Sequence, residues 1–156
     1  MKFEADVFSK FDQDWALLSA GTKDDHNSMT IAWGGMGTLW SKPVVTVYVK
    51  PCRYTYTFLN RNEYFTVSFY GNAYRKALGV MGSKSGRDTD KDAAAGLTVK
   101  ELGEAITYDQ AEATMLCRKI YWQDLDTGMM PPDVVKQFYT TEEPHRMYIG
   151  EVVNIL

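Results

Sequence analysis

Residues 15–33 read WALLSAGTKDDHNSMTIAW. Two apolar runs flank one polar cluster. Trp15–Thr22, WALLSAGT, is too short and too continuously apolar for an amphipathic helix and reads as a buried strand. Lys23–Asn27, KDDHN, carries the Asp and Asn residues that favour a turn, and Ser28–Trp33, SMTIAW, reads as the returning strand. A hairpin this early commits the chain to an antiparallel β fold.

Outward from that hairpin the same signals recur. Gly34, Gly35 and Gly37 predict a loop. Val44–Lys50, VVTVYVK, is rich in β-branched residues and bounded by Pro43 and Pro51, the clearest strand of the chain. Tyr64–Tyr70 alternates as YFTVSFY, and further strands are expected at Ala105–Tyr108, Ala113–Leu125 and His145–Leu156. Short helices are expected at Thr55–Arg61, at Ala73–Met81, as a turn at Ala93–Ala95, and from Pro131-Pro132 through Phe138. Ser83–Asp92 reads as a polar loop. Many strands with short helices between them, and no regular strand–helix alternation, predict an antiparallel barrel rather than a doubly wound sheet. No repeat or linker divides residues 1–156, so one domain is expected.

Composition narrows the function classes. The chain has 156 residues, 45% apolar and 24% charged, as expected of a chain with a buried core. A net charge of -3 argues against broad nucleic-acid binding, which needs a basic face. No apolar run reaches membrane-spanning length and the start, MKFEADVFSK, lacks a signal-peptide core, so no membrane association and a cytoplasmic location are expected. Cys52 and Cys117 are expected to stay unpaired in a reducing compartment, and with His26 and His145 they show no metal-ligand spacing, so no metal is expected.

Familiar motifs fail on inspection. Gly34-Gly35-Met36-Gly37 does not complete G-x-G-x-x-G, because Trp40 stands where the last glycine belongs. Gly82-Ser83-Lys84-Ser85 does not complete a phosphate-binding P-loop, and no G-x-S-x-G elbow is present.

Three segments carry chemistry. In Lys50-Pro51-Cys52-Arg53-Tyr54-Thr55 a strand ends and a helix begins; free helix N–H groups, Arg53 and Thr55 suit a phosphate, although taken alone the segment reads first as a plain N-cap with an exposed arginine. Ser83–Lys91 places Ser83, Ser85, Gly86, Arg87 and Lys91 on a loop fit for a phosphate dianion, with Asp88, Asp90 and Asp92 interspersed as on any solvated loop. Asn27-Ser28-Met29-Thr30-Ile31-Ala32-Trp33 offers hydroxyls and N–H groups for a polar ring edge and Met or Trp for an apolar face, or else a hairpin and core strand.

In this order, WALLSAG, NSMTIAWGGMGTLWSKPV, KPCRYTY, FTVSFYG, SGRDTDK and YIGEVVNIL resemble the flavin reductase-like, FMN-binding split-barrel proteins, among them flavoredoxins. The resemblance implies a split β-barrel of Greek-key type with short peripheral helices, a homodimer, and FMN near the subunit boundary. It implies that Arg53, Tyr54, Thr55, Ser83, Ser85, Gly86, Arg87 and Lys91 gather the phosphate and ribityl chain. Asn27, Ser28, Met29, Thr30 and Ile31 would line the ring, with Thr30 facing its polar atoms and Trp33 or Trp40 packing either beside it or in the core. The loop Gly34–Pro43 and the closing strand are the expected dimer contacts. The implied activity is an oxidoreductase taking hydride from NAD(P)H and passing electrons to flavin or another acceptor. The alternative is an FMN electron carrier with a redox-protein partner and no nicotinamide site. Many flavin reductases continue beyond the equivalent of YIGEVVNIL with a segment that would shape a nicotinamide site, so FMN binding is expected independently of the donor. A related barrel holding haem or a phosphorylated pyridoxal stays open, since Arg53 and Lys91 would serve any phosphate. No catalytic side chain is assigned; His145 is the ionisable group expected to titrate near neutrality.

Overall fold

A computed structural model describes Met1–Leu156 throughout. Ala16–Gly21 (β1) and His26–Ile31 (β2) form the expected hairpin, with Ala16 opposite Ile31 and Gly21 opposite His26. Gly34–Leu39 (β3) and Lys42–Val49 (β4) form a second hairpin. This corrects the expected loop at Gly34, Gly35 and Gly37. The glycines lie in a strand whose pairing with β4 runs through every residue from Gly34 to Leu39. A two-residue turn, Trp40-Ser41, with φ of 52° and 58°, joins the two strands in the left-handed conformation that matches hairpin twist.

Tyr64–Phe69 (β5), Ala113–Asp124 (β8) and Arg146–Ile155 (β9) complete a seven-stranded antiparallel sheet in the order β2-β1-β5-β8-β9-β4-β3. Its two edges, β2 and β3, are consecutive in the chain and joined only by Ala32 and Trp33. A two-residue link cannot span the width of a flat seven-stranded sheet, so the sheet rolls until its edges approach. No ladder joins β2 to β3, so the barrel is left split along that seam. Register shifts between Leu116 and Cys117 and between Lys119 and Tyr121 interrupt the β8–β9 ladder, as bulges that bend strands do.

Val99–Leu102 (β6) and Ala105–Tyr108 (β7) form a separate hairpin, of which only β7 is legible in the sequence. The helices are Ser9–Asp12 (α1), Tyr54–Arg61 (α2), Arg75–Ser83 (α3), Lys91–Ala95 (α4) and Pro132–Phe138 (α5).

Every residue of β1 is buried because the strand is covered on both sides. Ala16, Leu18 and Ala20 enter the main barrel core with Val45, Val47, Phe58, Phe65 and Val67. Leu17 enters a second core with Leu78 and Met81 of α3 and Ile106 and Tyr108 of β7. That is why WALLSAGT is continuously apolar rather than alternating. Leu17 and Leu18 are both fully buried, worth about 2 kcal/mol each in transfer free energy. The same packing fixes β2, α2, α3 and α4 around one depression at the barrel's seam.

Candidate functional site

The strand–proline–helix junction delivers the first wall. Val49 ends β4, Pro51 turns the chain, and α2 starts at Tyr54 with Arg53 at its N-cap in an extended conformation. No side chain caps this helix, so its first N–H groups are open to an anion. Arg53 is exposed and engages no carboxylate. Thr55 is buried, and its hydroxyl accepts from the Asn27 amide at 2.8 Å, tying α2 to β2.

The second wall is the turn after α3. Gly86 approaches so closely that a Cβ there would lie 2.1 Å from Asn27 Oδ1 and 3.1 Å from the Tyr54 ring. The Arg87 guanidinium stacks over the Tyr54 ring at 4.9 Å and donates to the Cys52 carbonyl at 3.2 Å. The Ser85 hydroxyl accepts from the Arg87 amide at 3.2 Å, an ST turn that shapes the loop.

The floor is Lys91, only 6% exposed at the start of α4. Its ammonium donates to the Ser28 carbonyl at 2.6 Å and has no ion-pair partner. Burial, followed by repulsion from Arg53, pushes its pKa down to about 8. The Asp92 carboxylate offsets part of that cost, and a phosphate beside Lys91 and Arg53 would offset more of it.

These walls enclose a pocket of 130 Å³ lined by Asn27, Met29, Arg53, Tyr54, Thr55, Ser85, Gly86, Arg87 and Lys91 among the expected residues. Cys52, Met81, Gly82 and Lys84 line it too and were not singled out by sequence. Through Met29 and Arg53 it continues into a groove of 260 Å³ lined by Thr30, Ile31, Trp33, Tyr48, Lys50 and His145. The result is one trough: a cationic end and a long end of mixed aromatic and polar character.

Four expected residues sit differently from the rest. Ser28 lines neither pocket: its hydroxyl is buried against Ser19 Oγ and Tyr108 OH, both at 2.7 Å, and only its carbonyl reaches Lys91. Thr30 lines the groove, but its hydroxyl donates to the Leu78 carbonyl at 2.5 Å. Ser83 ends α3, exposed and outside the pocket, its hydroxyl against the Val80 carbonyl at 3.4 Å. Trp40 occupies the β3–β4 turn, 62% exposed, neither in the core nor at the trough.

Trp33 is no core residue either; it is 46% exposed at the groove and packs edge-on to Phe138, ring centroids 5.4 Å apart. It also lies 5.4 Å from the His145 ring. The expectation that His145 titrates near neutrality is corrected. Burial, and then the neighbouring Lys50 ammonium, push its pKa down to about 4. At neutral pH it is an uncharged imidazole, with Nδ1 2.7 Å from the Tyr139 hydroxyl. Lys50 itself pairs with Glu142 across the end of the groove. Cys52 is exposed, Cys117 is buried, and both are free.

No helix is long and apolar enough to cross a membrane. None of the curated proteins matches the chain. Solved structures match its fold. A flavoredoxin from Methanosarcina acetivorans superposes with a TM-score of 0.72 at 21% identity, covering 100% of this chain and 74% of that one. An FMN-binding protein from Thermus thermophilus with bound p-hydroxybenzaldehyde gives 0.73 at 18% identity, covering 100% and 81%. A structure from Shewanella frigidimarina described as having a split barrel domain gives 0.71 at 14% identity, covering 91% and 65%. The model of the flavin reductase like domain matches residues 8–156, nearly the whole chain, and the protein belongs to that family.

Proposed function

We propose that this chain binds FMN in the trough and acts as an oxidoreductase, taking hydride from NAD(P)H and passing electrons to flavin or another acceptor. The observation that carries the reading is the cationic end of the trough, where Arg53 and buried Lys91 line one pocket and Arg53 is near enough to depress the Lys91 pKa. Arg53, the open N-terminus of α2 and Lys91 would hold the phosphate, with Ser85 and Arg87 closing over it. The strip Met29–Trp33 would lie along the ring, with Trp33 and neutral His145 at its far end. When bound, FMN supplies the hydride and electron-transfer chemistry at its isoalloxazine ring. The protein's part is to orient the ring and leave one face open, with the neutral His145 imidazole at the far end.

The donor is tested by anaerobic addition of NADH and then NADPH to the FMN-loaded protein. Bleaching within the mixing time by either supports the reductase. Slow bleaching by both, with fast reduction by a ferredoxin-like protein, supports an electron carrier instead.

The protein is further proposed to pair with a second copy. An apolar cavity of 520 Å³ lined by Phe3, Val7, Met36, Pro43, Val152 and Ile155 shares no residue with the trough and is lined by no lysine, arginine or histidine. Around it, exposed Trp40 and Val153 belong to the hairpin and closing strand expected at the contact.

A further inference from the structure

Three consecutive residues at the start of β2 fasten two elements of the phosphate pocket, α4 twice and α2 once. His26 bonds Asp92 of α4 at 2.6 Å, Asn27 bonds Thr55 of α2 at 2.8 Å, and the Ser28 carbonyl holds the Lys91 ammonium at 2.6 Å. The first of these ties has an unusual requirement. His26 Nδ1 faces the carbonyls of Thr22 and Lys23 at 2.9 and 3.1 Å, and Nε2 faces the Asp92 carboxylate. All three partners only accept, so both ring nitrogens must carry protons and only the imidazolium satisfies the arrangement. Proton accounting continues inward. Asp92 Oδ1 accepts from the Tyr108 hydroxyl at 2.6 Å, and the Ser28 hydroxyl lies 2.7 Å from both Tyr108 OH and Ser19 Oγ. A buried chain thus runs from His26 to β1, and α4 hangs on it by Asp92, the neighbour of Lys91.

We propose that His26 and Asp92 are positioning residues of the phosphate site: their charged bridge holds α4 against β2, keeps Lys91 on the pocket floor, and releases it when His26 loses its proton. This rests on the trough being an FMN site. The bridge is half-buried, with side-chain exposures of 14% and 20%. The His26 pKa is raised, first by the hydrogen bond to Asp92, so the bridge is intact below its ordinary value of 6.5 and is lost as pH rises through the elevated one. Other ionisable groups face this corner. Asp24 and Asp25 stand on the turn, Asp25 pairing with Arg61 of α2 at 2.7 Å. Asp90 and Lys91 stand at the start of α4, with Tyr108 on β7. Lys91 also titrates above neutrality, at about 8, and burial raises the Tyr108 hydroxyl above its ordinary value.

The chain has two histidines, and His145 is neutral down to about pH 4, so the imidazole titration of His26 can be followed by NMR unobscured. Linkage requires reciprocity: if the bridge supports FMN, FMN must support the bridge. Titration of wild-type protein with and without FMN is expected to show the His26 midpoint about one pH unit higher with FMN, equal to about tenfold coupling. Asp92→Asn distinguishes positioning from simple charge. Removing an anion beside the pocket would tighten phosphate binding by Coulomb attraction alone, whereas loss of the clamp is expected to weaken FMN binding about tenfold at pH 7. An unchanged His26 midpoint, or tighter FMN binding by Asp92→Asn, overturns the proposal. Failure of wild-type protein to bind FMN at any pH overturns the reading of the trough itself, and the proposal with it.

Discussion

Under the proposed reading, Arg53 is a side chain with a binding role and no structural one. It bonds nothing in the fold, yet it borders both halves of the trough. Arg53→Ala is therefore expected to leave the melting temperature unchanged while raising the FMN dissociation constant about 30-fold, the loss of one charge-assisted pair worth about 2 kcal/mol. Fluorescence titration with FMN beside a thermal melt checks both halves. Lys91 behaves oppositely, being buried and bonded. Binding a dianion favours its protonated form, so FMN binding at pH 8–9 is expected to take up a proton, and affinity to fall as pH rises past about 8. Calorimetry in buffers of different ionisation heat reads that uptake; its absence would show that Lys91 does not face the phosphate. That Arg53, Thr55 and Arg87 would line one pocket was legible because a strand–proline–helix junction and a small basic loop are local signals. Ser28 and Thr30 were not, because strand alternation tells two faces apart without saying which one meets a pocket. His26 and Asp92 are 66 positions apart, and nothing local marks them as partners.

At the scale of elements, the two hairpins differ in how they declare themselves. β1 and β4 carry runs of apolar or β-branched residues, and both were read correctly. β3, GGMGTL, has almost no strand propensity, and its pairing is imposed by β4 and the Trp40-Ser41 turn. Tertiary context overrode local preference there, as it did for β6, VKEL, which pairs only with β7. Close approach of elements yields two further predictions. A Cβ on Gly150 of β9 would lie 2.5 Å from the Phe65 ring and 2.7 Å from Cys117 Cβ, inside the barrel. Gly150→Ala is expected to destabilise the fold by about 2 kcal/mol by overpacking, measured by urea denaturation. Gly86→Ala instead meets Asn27 and Tyr54 at the pocket rim. It is expected to push the Ser85–Arg87 turn outward and weaken FMN binding several-fold, with a smaller loss of stability than Gly150→Ala.

For the whole molecule, the rolled sheet explains why a chain with net charge -3 keeps a cationic pocket. The seam between β2 and β3 is where the edges of the seven-stranded sheet are unpaired; α2 and α3 pack on its β2 side and α4 is bonded to it through Asp92 and Lys91. The antiparallel barrel was legible because so many strands with so few helices leave little else; the order of the strands was not, since it depends on pairings such as β5 with β8 that no local signal encodes. Global stability should carry the mark of the His26–Asp92 bridge. The Asp92 carboxyl is held below its ordinary value despite burial, by hydrogen bonds from His26 and Tyr108, while His26 is raised. The bridge therefore contributes fully only between the two: its stabilisation is lost in acid as pH falls through the depressed Asp92 value, and lost in base as pH rises through the elevated His26 value. Denaturation midpoints across pH 3–9 are expected to plateau between those limits in wild-type protein and to lose the alkaline shoulder in His26→Gln. The central claim, that the trough is a flavin site, is tested most directly by incubating the purified protein with FMN, desalting it and recording the absorption spectrum for wild type and Arg53→Ala. Flavin bands retained by wild type and greatly reduced in the variant are the predicted result. Equal retention by both, or none by wild type together with no change in FMN fluorescence on titration, would contradict it.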